Sequence, residues 1–221
     1  MVRKSSKTED KSSAQAVRLG IFGASGCGKT TKSRELTANL HRVIFFDPLA
    51  EMTGARVFDD LTALKTAIKR NFSTGFRFCL VPTFGQEQEE LRELSAFLVA
   101  LQRGYAAHGA QITLAVDELD LSFPSGITQR DPRNWFAYLC RRGRHFGINL
   151  IGISQRPTQV DVCFRSNCSA IYWFRHAEAI DIDLAKKTLG AEKAKIFKDL
   201  NNFEYIYKEG SKIIIHKNKK N

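Results

Sequence analysis

The sequence has no apolar run long enough to cross a membrane. Its longest largely apolar stretch, Leu94–Leu101, is too short and too interrupted to span a bilayer. The first 16 residues are polar and rich in Ser and Lys, and they contain no apolar segment typical of a signal peptide. We therefore expect an intracellular protein with no transmembrane segment of its own, and a disordered basic tail over residues 1–16.

Cysteine patterns of the disulfide or zinc type are also missing. The five cysteines form no CxxC motif, their number is odd, and no histidine pair stands at zinc-finger spacing. Cys27 lies in a glycine-rich loop and Cys79 lies in an apolar run. This pattern is typical of reduced, mostly buried thiols, and it argues against a disulfide framework and against a zinc site.

Positive charge is what the sequence has in excess. The formal net charge of the 221 residues is +11, and charge of that size must lie on the surface, where it attracts polyanions. Nucleic acid is therefore the expected partner. With 43% hydrophobic residues, the chain is long enough for one α/β domain with a full core and too short for two large ones.

Short apolar runs alternate with helical patterns along the chain. The predicted strands are Val17–Phe22, Val43–Phe46, Phe76–Val81, Ile112–Val116, Ile148–Ile153 and Ala170–Phe174, and the predicted helices cover 28–40, 60–71, 87–107, 132–146 and 178–189. This alternation predicts an α/β fold with a doubly wound, mostly parallel sheet and helices on both faces. Phe203–Lys208 and Lys212–His216 flank a Gly-containing turn and predict a C-terminal β-hairpin. We expect a single domain over residues 17–216 and a basic tail over 217–221.

The first predicted strand runs directly into a phosphate-binding loop. Gly23-Ala24-Ser25-Gly26-Cys27-Gly28-Lys29-Thr30 fits GxxxxGK(S/T) at every fixed position and opens a predicted helix. The glycines let backbone N–H groups face the phosphates, Lys29 would reach the β- and γ-phosphates, and the Thr30 hydroxyl would bind Mg²⁺. Thr31 would lie close to the α-phosphate. The loop therefore predicts a P-loop NTPase that binds ATP with Mg²⁺.

The predicted strand Ile112–Val116 ends in two acids, Asp117 and Glu118. This Walker B pattern places the two carboxylates at a strand end, where α/β sheets present ligand groups. We predict that Asp117 holds Mg²⁺ and that Glu118 polarises the attacking water as the general base. Asp120, two residues further on, is expected to be solvated.

Two further features complete a predicted hydrolytic site. The next core strand ends in Ser154-Gln155-Arg156-Pro157, where the Gln155 amide would contact the γ-phosphate or the attacking water as a sensor. Upstream, Arg141, Arg142 and Arg144 stand within four residues. One of these arginines would act as a finger on a neighbouring subunit's nucleotide, or the cluster would face DNA or solvent. The same residues could serve both roles.

The residues around the sensor carry a family resemblance. The run from Arg144 to Pro157, with its Gly147-Ile148 pair, apolar strand and final Ser-Gln-Arg-Pro, resembles a stretch of the FtsK–HerA superfamily of DNA-pumping ATPases. The resemblance covers roughly Leu19 to Leu189. It implies that Lys29 and Thr30 hold the nucleotide, Asp117 the metal, that Glu118 is the base and Gln155 the sensor. It also implies that Arg144 acts across the subunit interface, with Arg142 as the second choice.

The resemblance also implies an assembly and a cargo. Members of this superfamily are ring-forming motors, so we expect a homo-oligomeric ring, a pentamer or hexamer, that hydrolyses ATP at subunit interfaces and moves double-stranded DNA. The chain shows no membrane-anchor region, winged domain or N-terminal β-barrel, and its size is similar to that of genome-packaging ATPases of tailless, membrane-containing phages and related archaeal viruses. The expected function is packaging of a viral genome into a preformed capsid. Partners would be packaging-vertex or capsid membrane proteins, met in the host cytoplasm or at the virion packaging vertex.

Two other functions remain open at this point. A Zot-like phage assembly or secretion motor would keep the ATPase and change the cargo, although such proteins usually carry a transmembrane helix. A monomeric P-loop kinase or NTPase would explain the loop and the fold, but it would not explain the arginine cluster or the Ser-Gln-Arg-Pro run.

Overall fold

Nine strands form one sheet in the computed structural model, which describes residues 16–104 and 108–218. In chain order they are β1 (Arg18–Phe22), β2 (Arg42–Phe46), β3 (Arg56–Phe58), β4 (Phe76–Leu80), β5 (Ile112–Val116), β6 (Ile148–Ser154), β7 (Ala170–Phe174), β8 (Tyr205–Glu209) and β9 (Lys212–His216). Their order across the sheet is β3-β4-β2-β5-β6-β1-β7-β8-β9. Strands β1 to β7 are parallel, so they end at one edge of the sheet, here called the carboxyl edge.

Helices cover both faces of this sheet. They are α1 (Lys29–Thr37), α2 (Leu61–Arg70), α3 (Glu87–Leu101), α4 (Leu119–Ser122), α5 (Ile127–Arg130), α6 (Trp135–Arg142), α7 (Val162–Ser166), α8 (Ala179–Leu189) and α9 (Ala191–Ala194). Residues of β2 alternate between two cores: Ile44 and Phe46 belong to the core beneath α2, α3 and α6, whereas Val43 and Phe45 belong to the core beneath α1. Because both faces are buried, β2 is a continuous apolar run. The predicted doubly wound α/β fold is confirmed.

Helix α6 places the arginine cluster. Its N-cap, Asn134, accepts hydrogen bonds through Oδ1 from the N–H groups of Phe136 at 3.0 Å and Ala137 at 3.1 Å. Four side chains on one face are buried: Phe136, Ala137, Leu139 and Cys140. The last turn carries Arg141 and Arg142, where a positive charge favours the helix dipole. The chain continues through a 3₁₀ turn, Gly143–Phe146, into β6.

The C-terminal hairpin is confirmed, with a later start than predicted. Strand β8 pairs antiparallel with both β7 and β9, and Gly210 in the turn has a φ of 55°. Strand β8 begins at Tyr205 rather than Phe203, because Phe203 has a left-handed φ of 66° and donates its N–H to the phosphate loop. The predicted boundary was wrong because the aromatic residues alternate from Phe203 onward, although backbone pairing begins only at Tyr205.

Other boundaries also differ from the sequence predictions. The helix predicted over 87–107 ends at Leu101, and the helix predicted over 132–146 is α6 followed by the 3₁₀ turn. Strand β3 was not predicted, since three residues are too short to show a period of two. Residues 1–15 of the predicted N-terminal tail, 105–107 of the predicted third helix and 219–221 of the C-terminal tail lie outside the described residues. In the part of the chain that is described, no helix is both long and apolar enough to cross a membrane.

Candidate nucleotide-binding site

The phosphate loop, Gly23–Thr31, leaves β1 at the carboxyl edge of the sheet. Gly23 has no room for a side chain, since a Cβ there would lie 2.5 Å from Cβ of Phe174. Gly26 and Gly28 have φ angles of 69° and 107°, a region that residues with a side chain rarely adopt. Close packing therefore explains the first fixed glycine of the motif, Gly23, and backbone conformation explains the second, Gly28, as it does Gly26 at a variable position between them.

The lysine of the motif lies inside the loop. Helix α1 begins at Lys29, so the N–H groups of its first turn lie at the loop, together with the positive end of the helix dipole. The Lys29 side chain is only 8% exposed, and its Nζ donates a hydrogen bond to the Ala24 carbonyl oxygen at 2.9 Å. The remaining loop side chains divide by exposure: Ser25 and Thr31 are exposed, Thr30 is half-buried and Cys27 is buried. A glycine-rich loop at a helix N-terminus, with one buried ammonium and one hydroxyl, fits the triphosphate and Mg²⁺ of a bound nucleotide.

Asp117 lies at the end of β5, next to a second buried acid. Its N–H donates to the Phe46 carbonyl oxygen at 2.9 Å, which places it beside Asp47 at the end of β2. Burial raises the pKa of Asp117 to about 6, and repulsion from Asp47 and Glu118 adds to the increase. The Asp47 carboxylate accepts the N–H groups of Leu49 at 3.1 Å and Met52 at 2.6 Å. Sequence analysis missed Asp47, although it directly follows an apolar strand, as Asp117 does.

The predicted base and the predicted sensor are in direct contact. Strands β5 and β6 are parallel neighbours, so Glu118 and Gln155, just beyond their ends, lie side by side. Gln155 Nε2 donates a hydrogen bond to Glu118 Oε1 at 2.7 Å. Burial raises the pKa of Glu118, and the hydrogen bond from Gln155 opposes the increase. The contact fixes one oxygen of the carboxylate and leaves the other for a further partner.

Backbone strain is concentrated at this edge of the sheet. Among the described residues, the non-glycine residues with a left-handed φ are Ala50, Glu118 and Phe203. Each lies in a segment at the carboxyl edge, after β2, after β5 and before β8. Strained backbone of this kind persists where the surrounding structure imposes it, and it clusters at functional sites.

Asp120 is not solvated as expected. Ser154, the last residue of β6, donates its Oγ hydrogen to Asp120 Oδ1 at 2.5 Å and accepts the N–H of Arg156 at 2.9 Å. These bonds connect the turn after β5 to the turn after β6. Asp120 therefore supports the two segments that carry the base and the sensor.

The two predicted finger arginines are not near the loop of their own chain. Arg142 and Arg144 are exposed and lie just before β6, whereas the phosphate loop and Gln155 lie at the other end of that strand. The seven residues of β6 separate these two edges by on the order of 20 Å. The structure thus brings Lys29, Glu118 and Gln155 together and leaves both arginines at the amino edge.

A small polar cavity of about 170 Å³ lies next to the loop. Its lining includes Ser25 of the phosphate loop, Gln155 and Arg156 of the turn after β6, and His176 and Asp181 from the segment after β7. Asp181 Oδ1 accepts both the N–H, at 3.1 Å, and the Oγ hydrogen, at 2.7 Å, of Thr158. Sequence analysis missed this buried histidine and aspartate, because single polar residues after a strand carry no motif.

His176 makes the fold sensitive to acid. Burial lowers its pKa to about 4, with Asp181 opposing and Lys29 adding to the decrease. In the unfolded chain His176 is protonated below about pH 6.5, whereas in the folded chain it is protonated only below about pH 4. The neutral histidine therefore contributes to stability above pH 6.5, and this contribution is lost as pH falls from 6.5 toward 4. Between pH 7.5 and 5 we expect wild type to lose about 2 kcal/mol more unfolding free energy than His176→Gln. Urea unfolding of both proteins at the two pH values measures this difference, and equal losses would contradict it.

A strand, a glycine-rich phosphate loop and a helix, with paired acids after another parallel strand of the same sheet, define a P-loop NTPase fold. No protein-family model and no curated protein matches the sequence.

Solved structures with this fold include a viral genome packaging NTPase and VirB4. The genome packaging NTPase B204 from Sulfolobus turreted icosahedral virus 2, in complex with AMPPCP, matches with a TM-score of 0.69 at 17% identity, over 91% of this chain and 97% of that chain. Its complex with ATP-gammaS matches with a TM-score of 0.69 at 16% identity, over 92% and 98%. VirB4 of Thermoanaerobacter pseudethanolicus matches with a TM-score of 0.60 at 12% identity, over 90% and 88%. These matches confirm the P-loop NTPase fold and show that the chain is similar in structure to a viral genome packaging NTPase.

Proposed function

We propose that this chain is an ATPase motor that moves double-stranded DNA into a preformed viral capsid. The observation that carries the proposal is the hydrogen bond between Glu118 and Gln155 beside the phosphate loop, because it joins a base to a sensor at the end of two adjacent strands. The fold shared with a genome packaging NTPase supports the packaging role. The net charge of +11 supports a polyanionic cargo, held through its phosphates.

Each residue of the site has a separate role in the proposed hydrolysis of ATP. The loop amides and Lys29 hold the phosphates of ATP, and Thr30 and Asp117 hold Mg²⁺. Bound Mg²⁺ supplies charge neutralisation on the phosphates. Glu118 accepts the proton of the attacking water, and the raised pKa of its carboxylate makes it a better acceptor at neutral pH. Gln155 donates to one carboxylate oxygen and so directs the other toward the water.

The transition state also gains from positive charge beyond that of Lys29, and the two predicted finger arginines lie too far from the loop of their own chain to supply it there. Arg144 is our first choice and Arg142 our second, and both are exposed at the amino edge. An arginine there reaches a nucleotide only if the amino edge of one subunit meets the carboxyl edge of the next. Such a head-to-tail contact repeats around a closed ring, which we propose to be a pentamer or hexamer. The ring would act at the packaging vertex, where capsid or capsid-membrane proteins would hold it.

The cargo is tested by hydrolysis of ATP in the presence of different nucleic acids. We expect linear double-stranded DNA to raise turnover by wild type, single-stranded DNA to raise it less, and the stimulation to fall steeply with salt because phosphate contacts release counterions. Lys29→Ala, measured in parallel, gives the background. Stronger stimulation by single-stranded DNA would favour an assembly or secretion motor instead. Transfer of phosphate to nucleosides without DNA stimulation would identify a kinase and overturn the proposal.

A further inference from the structure

A short segment before β8 lies on the phosphate loop. The N–H of Phe203 donates to the Cys27 carbonyl oxygen at 2.8 Å. A Cβ built on Gly28 would come within 2.7 Å of Cδ1 of Phe203, so the aromatic ring lies directly against the Gly28 backbone. The glycine of the motif is therefore in contact with an aromatic side chain from the far end of the sequence.

The ring is held there and yet remains open to solvent. Phe203 is 52% exposed, and its φ of 66° is one that a bulky residue rarely adopts. Hydrogen bonds fix the segment on both sides of it. Asn202 Oδ1 accepts from Arg175 Nη2 at 3.3 Å, and Glu204 accepts the N–H of Asn201 at 2.8 Å and that of Asn218 at 3.0 Å. The ring therefore sits on a strained, well-anchored backbone with about half of its surface open to a partner outside the chain.

The topology of the sheet gives the direction of a bound nucleotide. Strand β1, which carries the loop, has β6 and then β5 on one side and β7 and then β8 on the other. Glu118 and Gln155 follow β5 and β6, so the γ-phosphate end of the nucleotide belongs on that side. The nucleoside end then points toward β7 and β8, where Phe203 lies.

We propose that Phe203 is the platform on which the base of the nucleotide stacks. This proposal rests on the proposed ATP site and adds the group that recognises the nucleoside part. Stacking on an aromatic ring accepts any base, because every base has a π-face. A purine covers more of the ring than a pyrimidine, so the platform favours purine nucleotides without excluding the others.

The test compares ATP with inorganic tripolyphosphate, which has the phosphates but no base. Calorimetry measures the affinity of both probes for wild type, Phe203→Gly and Phe203→Trp, with Phe84→Ala as the control. Phe84 is 97% exposed on another loop at the carboxyl edge, so its loss removes an exposed ring of the same kind. We expect Phe203→Gly, which also relieves the left-handed φ, to weaken ATP binding about tenfold and to leave tripolyphosphate binding unchanged. Phe203→Trp should keep the affinity for ATP, and Phe84→Ala should change neither.

Three other outcomes would overturn either the stacking proposal alone or the proposed ATP site as well. If Phe203→Gly lowers the affinity for ATP and for tripolyphosphate equally, the ring only shapes the loop and the stacking proposal is wrong. If wild type binds tripolyphosphate as tightly as ATP, the base contributes nothing and the stacking proposal again fails, while the phosphate site stands. If wild type binds neither probe, both the platform and the proposed ATP site are wrong.

Discussion

Glu118→Gln should bind ATP as tightly as wild type and hydrolyse it about 10² to 10⁴ times more slowly, the range expected for loss of a general base. The amide keeps the shape of the carboxylate but cannot take a proton from water. It can still accept the hydrogen bond that Gln155 Nε2 donates to Glu118 Oε1, so the geometry of the site should persist. Single-turnover hydrolysis and equilibrium binding of ATP, measured on the same preparation, separate the two effects.

Two further variants make this result specific. Lys29→Ala should weaken ATP binding by roughly 10- to 150-fold, because charged hydrogen bonds to the phosphates are lost. Asp120→Asn is the matched control, since Asp120 is a carboxylate two residues from Glu118 and an asparagine there can still accept the Ser154 hydroxyl hydrogen. It should reduce hydrolysis far less than Glu118→Gln. Normal hydrolysis by Glu118→Gln would show that the base lies elsewhere.

Arg144→Ala should reduce turnover about 10³-fold, the scale expected for an arginine finger, and leave the affinity for ATP unchanged. The Arg144 side chain is exposed and lies at the edge of the sheet opposite the loop, so its removal should affect neither folding nor the nucleotide site of its own chain. Arg142→Ala should have a smaller effect. Arg133→Ala is the control, because Arg133 is another exposed arginine, placed before α6 rather than after it.

Mixing two inactive variants tests whether the finger acts in trans. Arg144→Ala subunits have an intact loop, and Lys29→Ala subunits have an intact arginine, so some interfaces in a mixed ring carry both groups. We expect the mixture to recover part of the wild-type turnover, although each variant alone is nearly inactive. A mixture that stays as inactive as its components would place the arginine in its own site or outside the mechanism.

Local sequence predicted the parts of the site that come from one strand and its following turn. The phosphate loop needs fixed glycines and a lysine at set spacing, and these constraints are visible without any tertiary contact. Asp117 and Gln155 follow apolar strands, and parallel strands bring their ends to the same edge. The contact between Glu118 and Gln155 then depends on β5 and β6 being neighbours in the sheet. The order of strands in the sheet cannot be read directly from the sequence.

The missed residues depend on contacts between distant segments. Asp47 has the same local pattern as Asp117, but its role is visible only when β2 and β5 are known to be adjacent. His176 is one polar residue after β7, and its burial comes from packing around the cavity beside the loop. Phe203 continues the alternation of the hairpin strand, but it lies outside the strand because its φ is left-handed and its N–H bonds to the phosphate loop. Contacts of this kind belong to the tertiary structure, and the local periodicity of the sequence does not predict them.

In the proposed ring, the phosphate loop is one half of a site that the next subunit completes. The most direct test of this shared site is ATP turnover per subunit measured across a dilution series, with the oligomeric state followed at each concentration by light scattering. We expect turnover per subunit to collapse as the ring dissociates, because Lys29 and Glu118 then lose the arginine of the neighbour. Turnover per subunit that stays constant down to strictly monomeric conditions would contradict the shared site.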